Sequence, residues 1–221
     1  MKKIVILGDS LGLPREELTF EETYPYLLQS KFLNSFQVIS KHKRANDSKR
    51  QSFALYDDVE LYKPDIVIVH LGIVDCAPRL FYRKEKILIS YINKIVPIIK
   101  IMSKYRFFLT KYFPKVYVNE HQYKSNILKI IHFLEEKNIK IILVGIATTN
   151  LKNKEKSFAY DENIKRYNSI LKKIVEDKKE IDFIDMYQYG EDVLLDDGHH
   201  LNPKGSFLLA EELFQCIQDI S

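Results

Sequence analysis

Ile66-Val67-Ile68-Val69-His70-Leu71 contains no polar residue before His70, and Ile141-Ile142-Leu143-Val144 contains none at all. A strand with one wet face alternates polar and apolar residues, so uninterrupted β-branched runs of this length predict strands buried on both faces. Working outward, shorter apolar runs recur at Ile4–Leu7, Phe36–Ile39, Ile139–Gly145 and Ile181–Ile184. Helical patterns lie between them, over Phe20–Leu33, Phe53–Leu61, Lys84–Ser103, Glu120–Lys137, Glu162–Lys178 and Pro203–Ile217. Strands alternating with helices predict an α/β fold with a parallel sheet covered on both sides. The last helix carries a well-formed start signal, Asn202 as N-cap before Pro203 at the first helical position.

The 221 residues fit a single domain, 1–221. Hydrophobic residues make up 46% and charged residues 29%, which supplies a core and argues against wholesale disorder. Thirty-four basic against 30 acidic residues is a mixed surface without the imbalance of a dedicated nucleic-acid binder. Cys76 and Cys216 form no metal or redox spacing and read as free thiols in a reducing compartment. Lys2 and Lys3 precede only four apolar residues before Gly8 and Asp9, too few for a signal peptide. No stretch approaches the roughly 20 apolar residues of a membrane span. The expected address is cytoplasmic, with a peripheral position at the inner face of the membrane as an extension of it.

The first strand runs into Gly8-Asp9-Ser10-Leu11-Gly12, and Asp197-Gly198-His199-His200-Leu201-Asn202-Pro203 stands near the other end. A serine hydroxyl becomes nucleophilic when an imidazole accepts its proton, and that imidazole needs an acceptor on its other nitrogen. Ser10, His200 and Asp197 supply those types. A helix beginning near Ser10 would aim free N–H groups at a developing oxyanion. Gly8 to Gly12 also fits the G-x-S-x-G elbow of α/β-hydrolases, but that elbow follows several strands and here it follows the first.

In motif order and length the chain resembles the SGNH (GDSL-type) hydrolase family, through Gly8-Asp9-Ser10-Leu11, the Asp197 to His200 D-x-x-H block and its continuation Leu201-Asn202-Pro203-Lys204-Gly205. The resemblance implies a flavodoxin-like three-layer α/β/α fold with a roughly five-stranded parallel sheet. It also implies ester hydrolysis or acyl transfer by a serine nucleophile. Asp196 and His199 fit D-x-x-H as well. The family pattern of an apolar residue or Pro and then Asn after the catalytic His is met only by Leu201-Asn202, which selects Asp197 and His200.

Two family positions are missing. No glycine lies between Gly12 and Gly72, so the second block lacks its oxyanion glycine, and the third block reads Gly72-Ile73-Val74-Asp75, with Val74 where the family carries an oxyanion-binding Asn. The oxyanion and substrate contacts expected here are Gly72, Asn46 as substitute donor, Asp9, Asp75, and Arg79 and Arg15, which suit an anionic substrate group by bidentate hydrogen bonds. Asn46-Asp47-Ser48 also reads as a turn and helix cap, and both arginines as ordinary surface residues.

The segment Lys100 to Lys124 holds six basic residues against Glu120 alone, interleaved with Tyr105, Phe107, Phe108, Tyr112, Phe113, Tyr117 and Tyr123. It reads as a helical insertion between the third and fourth strands. Its roles are to cover a site, meet a protein partner or touch an anionic membrane, or else to pack its aromatics into the domain with the lysines solvated. His70 reads as a core histidine, and His42, His121 and His132 show no ligand spacing, so neither metal nor other cofactor is expected. Glycine-rich phosphate motifs are absent.

The expected activity is a serine esterase, with a carbohydrate O-acetyl ester as substrate, since the motif loops are similar to those of SGNH proteins associated with bacterial surface-polysaccharide synthesis. An O-acyltransferase modifying a surface glycan and a non-catalytic glycan-binding protein are the alternatives. The expected partner is a small-molecule or glycan ester, with no nucleic acid; oligomeric state is open.

Overall fold

The computed structural model describes residues 1–32, 35–85 and 96–220. Five strands, β1 (Lys2–Gly8), β2 (Phe36–His42), β3 (Ile66–His70), β4 (Lys140–Val144) and β5 (Asp182–Ile184), form one sheet of order β2-β1-β3-β4-β5. Every pairing is parallel. The helices are α1 (Tyr24–Phe32), α2 (Ser48–Phe53), α3 (Leu55–Asp58), α4 (Ile73–Cys76), α5 (Val96–Lys104), α6 (Arg106–Tyr112), α7 (Glu120–Glu135), α8 (Leu151–Lys156), α9 (Tyr160–Asp177) and α10 (Pro203–Ile220).

The period of two along each strand divides the core. Val5, Leu7, Val67, Val69, Ile141 and Leu143 point to one face, against Tyr123, Ile127, Ile130 and Leu134 of α7 and Ile164, Tyr167 and Leu171 of α9. Ile4, Ile6, Ile66, Ile68, Ile142 and Val144 point to the other, against Tyr24 and Leu28 of α1 and Leu209, Leu213 and Ile217 of α10. Two faces filled from alternate residues make three layers, and each fully buried Leu or Ile adds about 1.5–3 kcal/mol. In α9 the apolar positions 160, 164, 167, 171 and 174 follow the helical repeat that aims one stripe at the sheet.

The order β2-β1-β3 reverses direction at β1, because the chain moves to one side of β1 for β2 and to the other for β3. Such a switch point leaves a crevice beyond the carboxyl ends of the two strands. Gly8 pairs with His70 across it, so Ser10, two residues past Gly8, and Gly72, two past His70, stand at matched positions on neighbouring strands.

Expected boundaries shift where caps compete with pattern. The helix expected over Phe53–Leu61 is broken: the Asp47 side chain accepts from Arg50 N at 2.8 Å and starts α2 five residues earlier, after which α3 and a short turn at Glu60–Tyr62 follow. The helix expected from Phe20 begins at Tyr24 after a separate turn at Phe20–Glu22. Of the helix expected over Lys84–Ser103, the stretch 86–95 lies outside the described residues. The Asn202 cap forms as expected, its Oδ1 accepting from Gly205 N at 2.8 Å.

Candidate active site

Strand β1 delivers Ser10 to the first position of a single 3-10 turn, Ser10–Gly12, capped by Asp9, whose Oδ1 accepts from Leu11 N at 2.9 Å. An N–H at the first position of such a turn has no acceptor within it and is free to face a ligand. Ser10 Oγ lies 2.9 Å from Nε2 of His200. His200 Nδ1 lies 2.5 Å from Oδ2 of Asp197, whose Oδ1 also accepts from the backbone N–H groups of His199, at 3.1 Å, and His200, at 3.0 Å.

Burial alone would raise the pKa of Asp197. The hydrogen bonds from the His200 ring and backbone, with His199 nearby, outweigh it and hold the carboxyl well below its usual range. An ionised Asp197 fixes the proton on His200 Nδ1, which leaves the Nε2 lone pair for the serine proton.

The loop carrying Asp197 and His200 is pinned from the carboxyl end of β4. Thr149 Oγ1 donates to Gly198 O at 2.7 Å, Asn150 Nδ2 to Asp196 O at 3.0 Å and Asn153 Nδ2 to Asp197 O at 2.7 Å. Gly198 has φ +74°, a conformation that side chains resist, and a Cβ there would stand 2.2 Å from the Asn150 amide. An isolated antiparallel bridge between Leu194 and Leu201 closes the loop at its base. Thr149, Asn150 and Asn153 were not anticipated from the sequence; Asn150 as the cap of α8, accepting from Asn153 N, was the one readable signal.

The remaining expected residues divide. Arg15 joins the site: Nη2 donates to Ser10 O at 3.1 Å and Nη1 lies 4.0 Å from Asp197 Oδ2. Gly72 stands at the head of α4 with φ +144°, where a Cβ would meet Ile146 Cδ1 at 2.5 Å. Asn46 does not serve as an oxyanion donor, because both hydrogens of its buried amide are taken, by Gly8 O at 3.1 Å and Gln51 Oε1 at 2.7 Å. Asp75 is turned inward rather than toward a substrate: it is fully buried and accepts from Ser48 N and, at 2.6 Å, from Ser48 Oγ. Asp9 is likewise buried, and burial pushes its carboxyl up to about 7.

Arg79 clamps the loop instead of reaching for an anion. Nη2 donates to Val74 O at 3.3 Å, its backbone N–H donates to Lys115 O, and the guanidinium lies 4.5 Å from the Tyr117 ring centre.

Beneath the nucleophile turn lies a buried polar chain. His42 Nδ1 is 2.8 Å from Ser40 Oγ and Nε2 is 2.7 Å from Tyr24 OH, which in turn is 3.1 Å from His70 Nδ1. Burial lowers both imidazoles to about 3, so both are neutral, and His42, helped by its neighbour His70, is pushed the same way. This agrees with His70 as a core histidine, while the linkage to His42 through Tyr24 had no sequence signature.

Asp197, His199 and His200 bring potential metal-ligand atoms within 4.8 Å of one another. A metal there would take one nitrogen of His200, from either Ser10 at Nε2 or Asp197 at Nδ1. A cleft of about 580 Å³ between α6, α7 and α9 is lined by Pro78, Lys111, Phe158 and Arg166, among others, and by none of the three triad residues.

No family model and no curated protein sequence matches the chain. Solved structures do. A lipase/acylhydrolase from Enterococcus faecalis superposes with a TM-score of 0.73 at 16% identity, over 99% of this chain and 96% of that one. A GDSL-like lipase from Bacteroides thetaiotaomicron gives 0.66 at 16% identity, over 100% and 89%. An acetyl xylan esterase gives 0.68 at 18% identity, over 97% and 99%. The chain has the SGNH, or GDSL-type, hydrolase fold. These matches cover between 97% and 100% of the chain. In this chain the serine turn, the Gly72 turn and the D-x-x-H loop stand at the carboxyl end of the β1/β3 crevice.

Proposed function

We propose that the chain is a serine-dependent ester hydrolase. The observation that carries the reading is the continuous relay from Ser10 Oγ to His200 Nε2 and from His200 Nδ1 to Asp197, at 2.9 and 2.5 Å. Ser10 Oγ attacks the ester carbonyl carbon as its proton passes to His200 Nε2. The carbonyl π pair moves onto oxygen, and the N–H groups of Ser10 and Gly72 face that oxyanion. Collapse breaks the bond to the alcohol, which leaves with the proton from Nε2. Water then attacks the acyl-serine by the same steps and restores Ser10.

Arg15 supports the alignment through the Ser10 carbonyl and the proximity of its charge to Asp197. The buried histidines below are neutral and so supply no positive charge to an oxyanion, which leaves its stabilisation to the N–H groups.

The finer reading is a carbohydrate O-acetyl ester, supported by the likeness to an acetyl xylan esterase. Incubation with p-nitrophenyl acetate and with a fluorophosphonate probe, beside Ser10→Ala, tests the first statement. Turnover and labelling are expected from the parent and from neither in the variant; equal labelling of both would remove Ser10 as nucleophile. Acetate release from acetylated sugars, compared with longer acyl esters, tests the second.

A further inference from the structure

Helices α5 and α6 carry a stripe that the core does not use. Ile101, Tyr105, Phe108 and Tyr112 recur at steps of four, three and four, and with Phe113 they are between 52% and 67% exposed. Helical bonding runs through the junction at Tyr105, whose N–H donates to Ile101 O and whose carbonyl accepts from Leu109 N, so the stripe is continuous. The opposite side of α6 is fastened to the body. Arg106 donates to Ser157 Oγ at 2.6 Å and to Pro78 O at 2.7 Å, and Thr110 Oγ1 accepts from Phe158 N at 2.9 Å. The expectation that the insertion packs its aromatics inward therefore holds for Tyr123, which is fully buried, and fails for the four exposed rings.

Charge says what covers this face. Residues 96–119 include five basic residues and no acidic one, a surplus larger than the +4 of the whole chain, so the remainder is slightly acidic. Lys100, Lys104 and Lys111 are exposed and, among the described residues, form no ion pair with a carboxylate. We infer that α5 and α6 dock the protein on an anionic lipid surface, with the aromatic and aliphatic side chains entering the headgroup boundary and the lysines meeting lipid phosphates.

Aromatic residues and an apolar stripe flanked by lysines are the composition of an interfacial helix. A second copy is disfavoured, because an isologous contact would set lysines against lysines. Nucleic acid is disfavoured because the arginine of the segment, Arg106, is already committed to Pro78 and Ser157. The segment after α6 is tied to the loop following β3 through Arg79 N to Lys115 O and Tyr117 N to Asp75 O, which joins the docking face to the carboxyl edge of the sheet that carries the triad.

The test is sedimentation with phosphatidylcholine vesicles and with equimolar phosphatidylcholine–phosphatidylglycerol vesicles, using the parent chain and Ser10→Ala. Both proteins should bind the anionic vesicles at least about tenfold more tightly than the neutral ones, and release them as salt rises to about 0.5 M. Ser10→Ala makes the result independent of ester hydrolysis. The combined Lys100→Glu, Lys104→Glu and Lys111→Glu variant should weaken binding by about tenfold or more, and Phe108→Ser with Tyr112→Ser similarly, with unchanged circular dichroism and unchanged turnover of a soluble ester. Folded parent protein that stays in the supernatant with anionic vesicles at low salt overturns the inference. So does equal binding to neutral vesicles, or tighter binding of a DNA oligonucleotide than of vesicles.

Discussion

A Cβ on Gly12 would stand 2.3 Å from Nε2 of His42, so the nucleophile turn and the buried imidazole leave no room for a methyl group between them. Gly12→Ala must push the ring away from Tyr24 OH or lift the turn that holds Ser10. Overpacking of this kind costs about 1–3 kcal/mol. A displacement of about 1 Å at a reacting group costs about 100-fold in rate. Thermal unfolding should show a lower Tm and p-nitrophenyl acetate kinetics a lower kcat; a variant with parental values for both would separate His42 from the positioning of Ser10.

Asp197→Asn tests the base. The exchange keeps the side-chain shape but removes the charge that holds the proton on His200 Nδ1, favouring the tautomer whose Nε2 cannot accept from Ser10. By analogy with other triads kcat should fall about 10⁴-fold. KM should change little, since Asp197 does not touch the ester. Because hydrogen bonds and His199 hold Asp197 far down despite its partial burial, its protonation does not contribute to any loss of activity in mild acid. A kcat drop smaller than about tenfold would count against Asp197 as the orienting residue.

Val74, two residues past Gly72, belongs to the same buried apolar cluster as Leu11 and Leu71, and its side chain carries no polar atom at a position where the resembled family carries Asn. Val74→Asn should raise kcat, toward the roughly 100- to 1000-fold value of one oxyanion donor as an upper bound. It should also lower Tm, because an amide in a nearly buried position costs about 1–3 kcal/mol where its hydrogen bonds are incomplete. Unchanged or reduced kcat in a folded variant would mean that the oxyanion does not lie within reach of this position.

The sheet was legible because β3 and β4 are apolar on both faces, rich in β-branched residues and too short for a buried helix. The hydrogen-bonded grouping of Ser10, His200 and Asp197 was legible because the residue types of a nucleophile, its base and an orienting acid stand in two short motifs, and Leu201-Asn202 selects the register of the second. What the sequence hid were contacts between distant segments. Asn46 has the letters of a loop donor, yet Gly8 O and Gln51 take its hydrogens. Asp75 resembles a motif carboxylate, yet Ser48, 27 residues away, turns it inward. Helix α2 was misplaced because Asp47 caps it before the apolar pattern begins.

Asp75 also gives the protein a measurable pH signature. Burial raises its carboxyl to about 8, and the hydrogen bonds from Ser48 offset this only in part. An acid with a folded pKa above its unfolded value binds more protons folded than unfolded between about 4 and 8. The stability it contributes is therefore full below about 4 and is lost as pH rises through about 8, at up to about 1.4 kcal/mol per pH unit. Asp75→Asn cannot ionise. The stability difference between variant and parent should move in the variant's favour from about pH 4 to about pH 8 and then level off, with His42 and His70 titrating alike in both proteins and cancelling. Urea unfolding at a series of pH values measures the difference directly, and a gap that stays constant across the range would place the ionised carboxylate comfortably inside the Ser48 hydrogen bonds.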